Sequence, residues 1–109
     1  MTKKKKKLPV LNSQISLIDT HCHLDMDAYA EDLPEVLLNA VANGIRNVVT
    51  IGIDEKSSRA AIKLSKKHPM VYATVGIHPH DVGNINSSDL NAISSIIDRE
   101  RKSIVGYGE

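Results

Sequence analysis

Four runs of apolar and β-branched residues recur along this chain of 109 residues, and each closes on polar or charged side chains. They are ISLIDTHCHLD from Ile15, IRNVVTIGID from Ile45, MVYATVGIHPHD from Met70 and SIVGYGE from Ser103. Between them lie three segments with helical spacing, so the predicted order is βαβαβαβ. The second run is almost continuously β-branched, the pattern of a strand buried on both faces of a parallel sheet. Strand and helix in alternation predict a parallel α/β fold with its site at the carboxyl edge of the strands. His21 and His23, Asp54, His78 and His80, and Glu109 fall at those strand ends.

The helices carry their own punctuation. In DLPEVLLNAVANG, Asp32 and Glu35 form a capping-box pattern, Pro34 sits in the first turn, and Gly44 provides the stop. Leu33, Val36, Leu37, Ala40 and Val41 make its apolar stripe. The second helix is predicted over residues 55–67, with Ala60, Ala61 and Leu64 inward and His68 as part of the stop before Pro69. The third is predicted over residues 86–101, with Asn86 as its cap and Leu90, Ile93, Ile96 and Ile97 on one face.

Hydrophobic content of 41% and charged content of 25% suit a soluble globular chain of one domain, and the core must be aliphatic because Trp and Phe are absent. No apolar run approaches the ~20 residues of a membrane span, and Leu-Pro-Val-Leu is too short for a secretory core of about 7–15 residues. The single cysteine, Cys22, fits a reducing compartment. A cytoplasmic chain with no membrane association is therefore expected, and nothing identifies a protein partner.

The formal charge of +1 conceals an asymmetry. Residues 3–7 are five lysines; without them 9 basic residues face 13 acidic ones, a net of −4. Residues 1–15 are expected to form a basic, disordered tail, and residues 16–109 the domain. As a solvated extension the tail aids solubility; as an electrostatic arm it would raise nonspecific affinity for nucleic acid.

In a strand, residues two apart share a face. His21 and His23 should then project together with Asp19, while Ile18, Thr20 and Cys22 turn toward the helices. Two imidazoles so placed can converge on one cation, although H-x-H also arises as a plain surface pair. A Cys22–His nucleophile pair is disfavoured because Cys22 faces away from both neighbours. His78 and His80 repeat the spacing around Pro79, either as part of a common site or as a rigid polar turn. Glu109 follows Gly106 and Gly108, which allow close approach of backbone or ligand; its carboxylate could bridge two cations or lie solvated at the terminus.

DTHCHLD, VGIHPHD and a strand ending GYGE together resemble, in order and spacing, the TatD family of metal-dependent hydrolases, over residues 16–109. The resemblance implies a (β/α)8 TIM barrel, of which four strands and three helices make about half. It implies one or two divalent metal ions (Mg²⁺, Mn²⁺ or Zn²⁺) and deoxyribonuclease or phosphoesterase activity, with DNA as substrate. His21 and His23 match its first-strand metal ligands, and Glu109 its catalytic, metal-bridging carboxylate. His78 and His80 match its pocket rim, and Asp19 stands behind the ligands. A complete barrel needs about 250 residues. The family's two later histidines and its later aspartate have no counterpart here, so the chain reads as an N-terminal fragment, inactive alone. The alternatives are a half-barrel that only binds metal or nucleic acid weakly, or another amidohydrolase-type enzyme cutting C–N bonds. The latter commonly carries a modified lysine where Glu109 stands; phosphoesterases of the polymerase-associated type share H-x-H but fit GIHPHD poorly.

Overall fold

The computed structural model describes residues 14–108. The expectations for Glu109 and for nearly all of the basic tail lie outside the described residues. Strands β1 (Leu17–Cys22), β2 (Ile45–Ile51), β3 (Val71–Val75) and β4 (Ile104–Tyr107) alternate with helices α1 (Leu33–Ala42), α2 (Glu55–Lys67) and α3 (Ser87–Arg99). Short 3₁₀ turns occupy Asp27–Tyr29, Pro79–Asn84 and Arg101–Ser103. All strand pairs are parallel, in the order β1-β2-β3-β4, with Val48 opposite Val71 and Val75 opposite Tyr107.

The alternation along β3 shows how this sheet is covered. Val71, Ala73 and Val75 are buried on one face, with Tyr72 exposed on the other. Val71 packs in a cluster with Leu33 and Leu37 of α1, whereas Ala73 and Val75 pack with Ala61 and Ile62 of α2 and Ile93 and Ile96 of α3. All three helices therefore cover the same face. A doubly wound sheet places helices on both faces, whereas a barrel keeps them outside and leaves its inner face to side chains. This is the one-sided winding of a barrel segment. Ile96 and Val75 are the largest fully buried apolar side chains, each worth about 1.5–3 kcal/mol of burial.

Two helix starts follow the same rule. Asp54, in extended conformation, accepts from the Ser57 backbone N–H (2.7 Å), and the Ser57 hydroxyl accepts from the Asp54 N–H (3.0 Å). Asn86 closes the same reciprocal box with Asp89. The box expected at Asp32 does not form. Its backbone has φ −120° and ψ 13°, and no side-chain cap bond is made, because a capping carboxylate needs extended backbone to reach back over the first turn. Pro34 does sit in that turn, and Gly44 ends the helix with φ 92°.

Coverage stops at the sheet edges. Ile15, Leu17 and Ile18 at β1, and Val105 and Tyr107 at β4, are exposed. Of the three β1 residues expected to face the helices, only Cys22 is packed, against the α1 cluster; Ile18 and Thr20 are exposed. Crossovers 1→2, 2→3 and 3→4 place their helices over the strands they join, and none lies over the far side of β1. Leu90 and Val41 also stay exposed, at the margins of their stripes. No described helix is long and apolar enough to cross a membrane.

Candidate functional site

The carboxyl edge gathers the histidines. His21 is exposed on β1 and His23 is half-buried just beyond it. Their rings meet edge to face with centroids 5.1 Å apart, so they do project together. Asp19 Oδ1 accepts from the His21 backbone N–H at 3.0 Å, which turns this carboxylate onto the chain.

His23 is held from both sides. The Cys22 thiol donates to the Val49 carbonyl of β2 (3.2 Å), and the Leu24 N–H donates to Thr50 Oγ1, a fully buried hydroxyl, at 3.1 Å. Side chains thus carry the β1–β2 pairing past the point where the ladder slips, between the Asp19 and Cys22 pairings. Burial, with Asp19 and Asp25 nearby, pushes the Cys22 thiol up to about 11. At neutral pH it stays a protonated thiol, unsuited to nucleophilic attack.

The second pair lies off the strand. The His78 N–H donates to the Ile53 carbonyl (2.8 Å), and Pro79 opens a 3₁₀ turn. His78 Nδ1 accepts from the His80 N–H at 3.0 Å, and the two rings lie 4.8 Å apart. Both pairs sit at the same edge, with β2 between their strands.

Glycines set the backbone spacing there. A Cβ on Gly52 would come within 2.7 Å of Ser58 Cα and 2.8 Å of the Thr74 carbonyl; one on Gly76 would come within 2.8 Å of Gly108 Cα. Gly108 itself has φ 108° and donates to the Val75 carbonyl (2.8 Å). The backbone leading to Glu109 is therefore tied against the end of β3. Ser58, buried in the first turn region of α2, accepts from the Gly76 N–H (3.3 Å). At the start of α2, the Ser57 hydroxyl and N–H hold the Asp54 carboxyl below its ordinary 3.8.

The paired imidazoles of His21 and His23 fit the nitrogen share of a divalent-metal site. Among the described residues, no group of three His, Cys, Asp or Glu side chains is placed to hold a metal ion. Sequence reasoning missed Thr50, Ser58, Gly52 and Gly76; the one local signal was a threonine inside a β-branched run.

One-sided parallel winding with an imidazole pair at the carboxyl edge is the arrangement of a barrel segment, seen here over four strands. A family model described as "TatD related DNase" matches residues 18–109, and the chain belongs to that family. It is 32% identical over 93 residues to the uncharacterized metal-dependent hydrolase YabD of Bacillus subtilis, covering 85% of this chain and 36% of that protein. It is 27% identical over 93 residues to the 3'-5' ssDNA/RNA exonuclease TatD of Salmonella typhimurium, covering 85% and 35%. The crystal structure of YjjV, a TatD homologue from Escherichia coli, superposes with a TM-score of 0.78 at 24% identity, over 84% of this chain and 36% of that one. That likeness bears out the expected fold: four parallel strands and three main helices of a TIM barrel. The chain spans about a third of the length of the relatives it matches.

Proposed function

We propose that this chain supplies the first four strands of a metal-dependent phosphodiesterase that cleaves DNA, with His21 and His23 as metal ligands and Glu109 as the catalytic, metal-bridging carboxylate. The observation that carries this is the 5.1 Å imidazole pair at the carboxyl edge of a TatD-family fold. The exonuclease name of the Salmonella relative supports a nucleic-acid substrate. A divalent metal held there supplies a low-pKa water and polarises a phosphoryl oxygen.

The chain's own residues prepare that chemistry. Thr50 and the Cys22 thiol fix the backbone on either side of His23, and Asp19 fixes the turn of chain at His21. His80, exposed on the rim, can donate to a phosphate oxygen while His78 orients the segment. Among the described residues no third ligand joins His21 and His23, so beyond Glu109 the remaining ligands and the water's proton acceptor would come from strands after β4.

The test compares this 109-residue chain with a polypeptide continued through the later strands. Each is incubated with labelled single-stranded DNA and Mg²⁺, Mn²⁺ or Zn²⁺, with and without chelator. Chelator-sensitive cleavage is expected only from the longer form, and it should be lost on His21→Ala. Cleavage that survives both His21→Ala and Glu109→Ala sinks the assignment. Turnover by the short chain, lost on His21→Ala, shows that its own residues complete the site.

A further inference from the structure

Outside residues 3–7 the chain has nine basic residues, and eight of them fall in two places. Lys56, Arg59, Lys63, Lys66 and Lys67 lie on α2; Arg99, Arg101 and Lys102 lie at the end of α3 and just after it. Of the acids, Asp19, Asp25, Asp27, Asp54 and Asp81 lie at or beside the carboxyl edge and Glu31, Asp32 and Glu35 around the start of α1, while only Glu55, Asp89, Asp98 and Glu100 share the α2–α3 wall with these eight cations. A domain that is acidic overall thus concentrates its positive charge on one outer wall.

That wall has a shape. Between α2 and α3 runs a cavity of about 280 Å³, with Arg59, Lys63, Lys66 and Arg99 among its lining residues and the buried side chains of Ile62 and Ile96 as apolar lining. Lys56, Arg59, Lys63 and Lys66 recur at three- and four-residue spacing, which puts them along one side of the helix. At 1.5 Å per residue they span about 15 Å. Partial neutralisation comes from Glu55 on Arg59 (2.9 Å), from Glu100, itself a lining residue, on Lys66 (2.6 Å), and from Asp98 on Arg101 (3.6 Å). The Arg59 and Lys66 pairs are about half-exposed, and pairs open to solvent hold weakly enough to exchange for a phosphate.

A row of cations beside an apolar trough matches one ligand chemistry: a flexible polyanion with apolar units between its charges. We infer that the α2–α3 groove is a docking track for single-stranded nucleic acid, separate from the histidine site. Backbone phosphates lie on Arg59, Lys63, Lys66 and Arg99, and sugar or base surface lies on the aliphatic stems of these side chains, above the buried Ile62 and Ile96. The choice of polyanion rests on the nucleic-acid reading above; the groove and its charge do not. The track works without metal, so it holds a strand whose end is engaged elsewhere.

Binding of a fluorescent oligothymidylate, followed by anisotropy in excess EDTA, tests this. The chelator removes any contribution from metal ligation. Lys63→Ala with Arg99→Ala should weaken binding at least about 10-fold at low salt. It should also lower the slope of log affinity against log salt by about 1.4, two contacts at roughly 0.7 each for a single strand. The swapped pair Lys63→Arg with Arg99→Lys should retain affinity, and His21→Ala with His23→Ala should leave it unchanged. A variant with residues 3–7 changed to glutamine should keep the Lys63/Arg99 effect. Unaltered binding by the double alanine variant, with its fold verified by circular dichroism, overturns the track. So does binding carried entirely by residues 3–7. Inorganic phosphate competing as well as the oligonucleotide, phosphate for phosphate, would mark a small-anion site and also overturn it. Failure of the nuclease assay with intact EDTA-insensitive binding would sink the catalytic assignment and leave the track standing.

Discussion

The two H-x-H segments have the same spacing and nearly the same ring separation, 5.1 Å for His21 and His23 and 4.8 Å for His78 and His80, yet the backbone produces them differently. The first pair comes from strand pleat, which puts residues two apart on one face. The second comes from a proline turn in which His78, extended as a residue before proline must be, folds its own Nδ1 back onto the His80 N–H. An imidazole nitrogen that accepts a backbone hydrogen bond is occupied, and its proton then sits on Nε2. His23, by contrast, makes no side-chain hydrogen bond among the described residues, while the chain on both sides of it is tied to β2. Equal spacing thus yields a pair braced by the chain on either side of His23 and a pair that is partly its own turn.

That difference is broken most directly by metal titration. Added Zn²⁺ or Co²⁺ should shift the ring resonances of His21 and His23 first, and His21→Ala should weaken binding by at least about 100-fold, more than the 10–100-fold typical of an outer partner. His80→Ala should cost less than about 10-fold. If His78 and His80 respond first, the roles assigned to the two pairs are reversed.

The thiol between the first pair gives the next largest effect. With its pKa raised to about 11 from an ordinary 9.0, Cys22 should react with iodoacetamide at pH 8 about 100-fold more slowly than in the unfolded chain, since two pKa units set the thiolate ratio. The sign for stability follows. The fold favours the neutral thiol, so its contribution is intact below pH 9.0 and declines as pH rises toward 11. Fast alkylation at pH 8 would mean that Cys22 is not buried beside Asp19 and Asp25 as the fold places it.

What was legible in the sequence was periodic or local. Asp54, expected only as a polar strand end, caps helix α2, which runs over the expected residues 55–67 because its stripe is regular and the KKHP stretch marks its end. Asn86 was readable as a cap for the same reason. Asp32 misled because D-x-x-E specifies which atoms could bond, while the bond also needs a ψ that the turn before α1 does not give it. The fold class followed from alternation; that all three helices lie on one face did not, since VYATV carries no charged residue to mark the face they leave uncovered. The supports of the site were illegible because each joins residues far apart in sequence. Thr50 meets Leu24 across 26 positions and Ser58 meets Gly76 across 18, and no local spacing carries that information.

Thr50 sharpens the comparison from the side of support. Thr50→Val keeps the β-branched shape but leaves the buried Leu24 N–H without its acceptor, at a cost of about 1–3 kcal/mol. Urea denaturation should report that loss. Contacts between the His21 and His23 rings, read by NMR, should weaken in the variant while those between His78 and His80 persist. Loss of stability with both ring pairs unchanged would show that the hydroxyl supports the sheet and not the histidine.

The smallest effect belongs to the second pair and tests whether its geometry is its own. His78 is the N-cap of the Pro79–Asn84 turn, and its ring nitrogen takes the place that an Asn or Asp oxygen usually fills. His78→Ala removes that acceptor from an exposed turn, where water can replace it, so the expected cost is only about 0.5–1 kcal/mol. His78→Asn restores a short acceptor and should recover most of it. Because the turn is local, neither change should alter the ring contact of His21 and His23 or the reactivity of Cys22 on the far side of β2. A loss well above 1 kcal/mol, or a disturbance that reaches the first pair, would mean that the two H-x-H segments are coupled through the carboxyl edge. They would then have to be treated as one site.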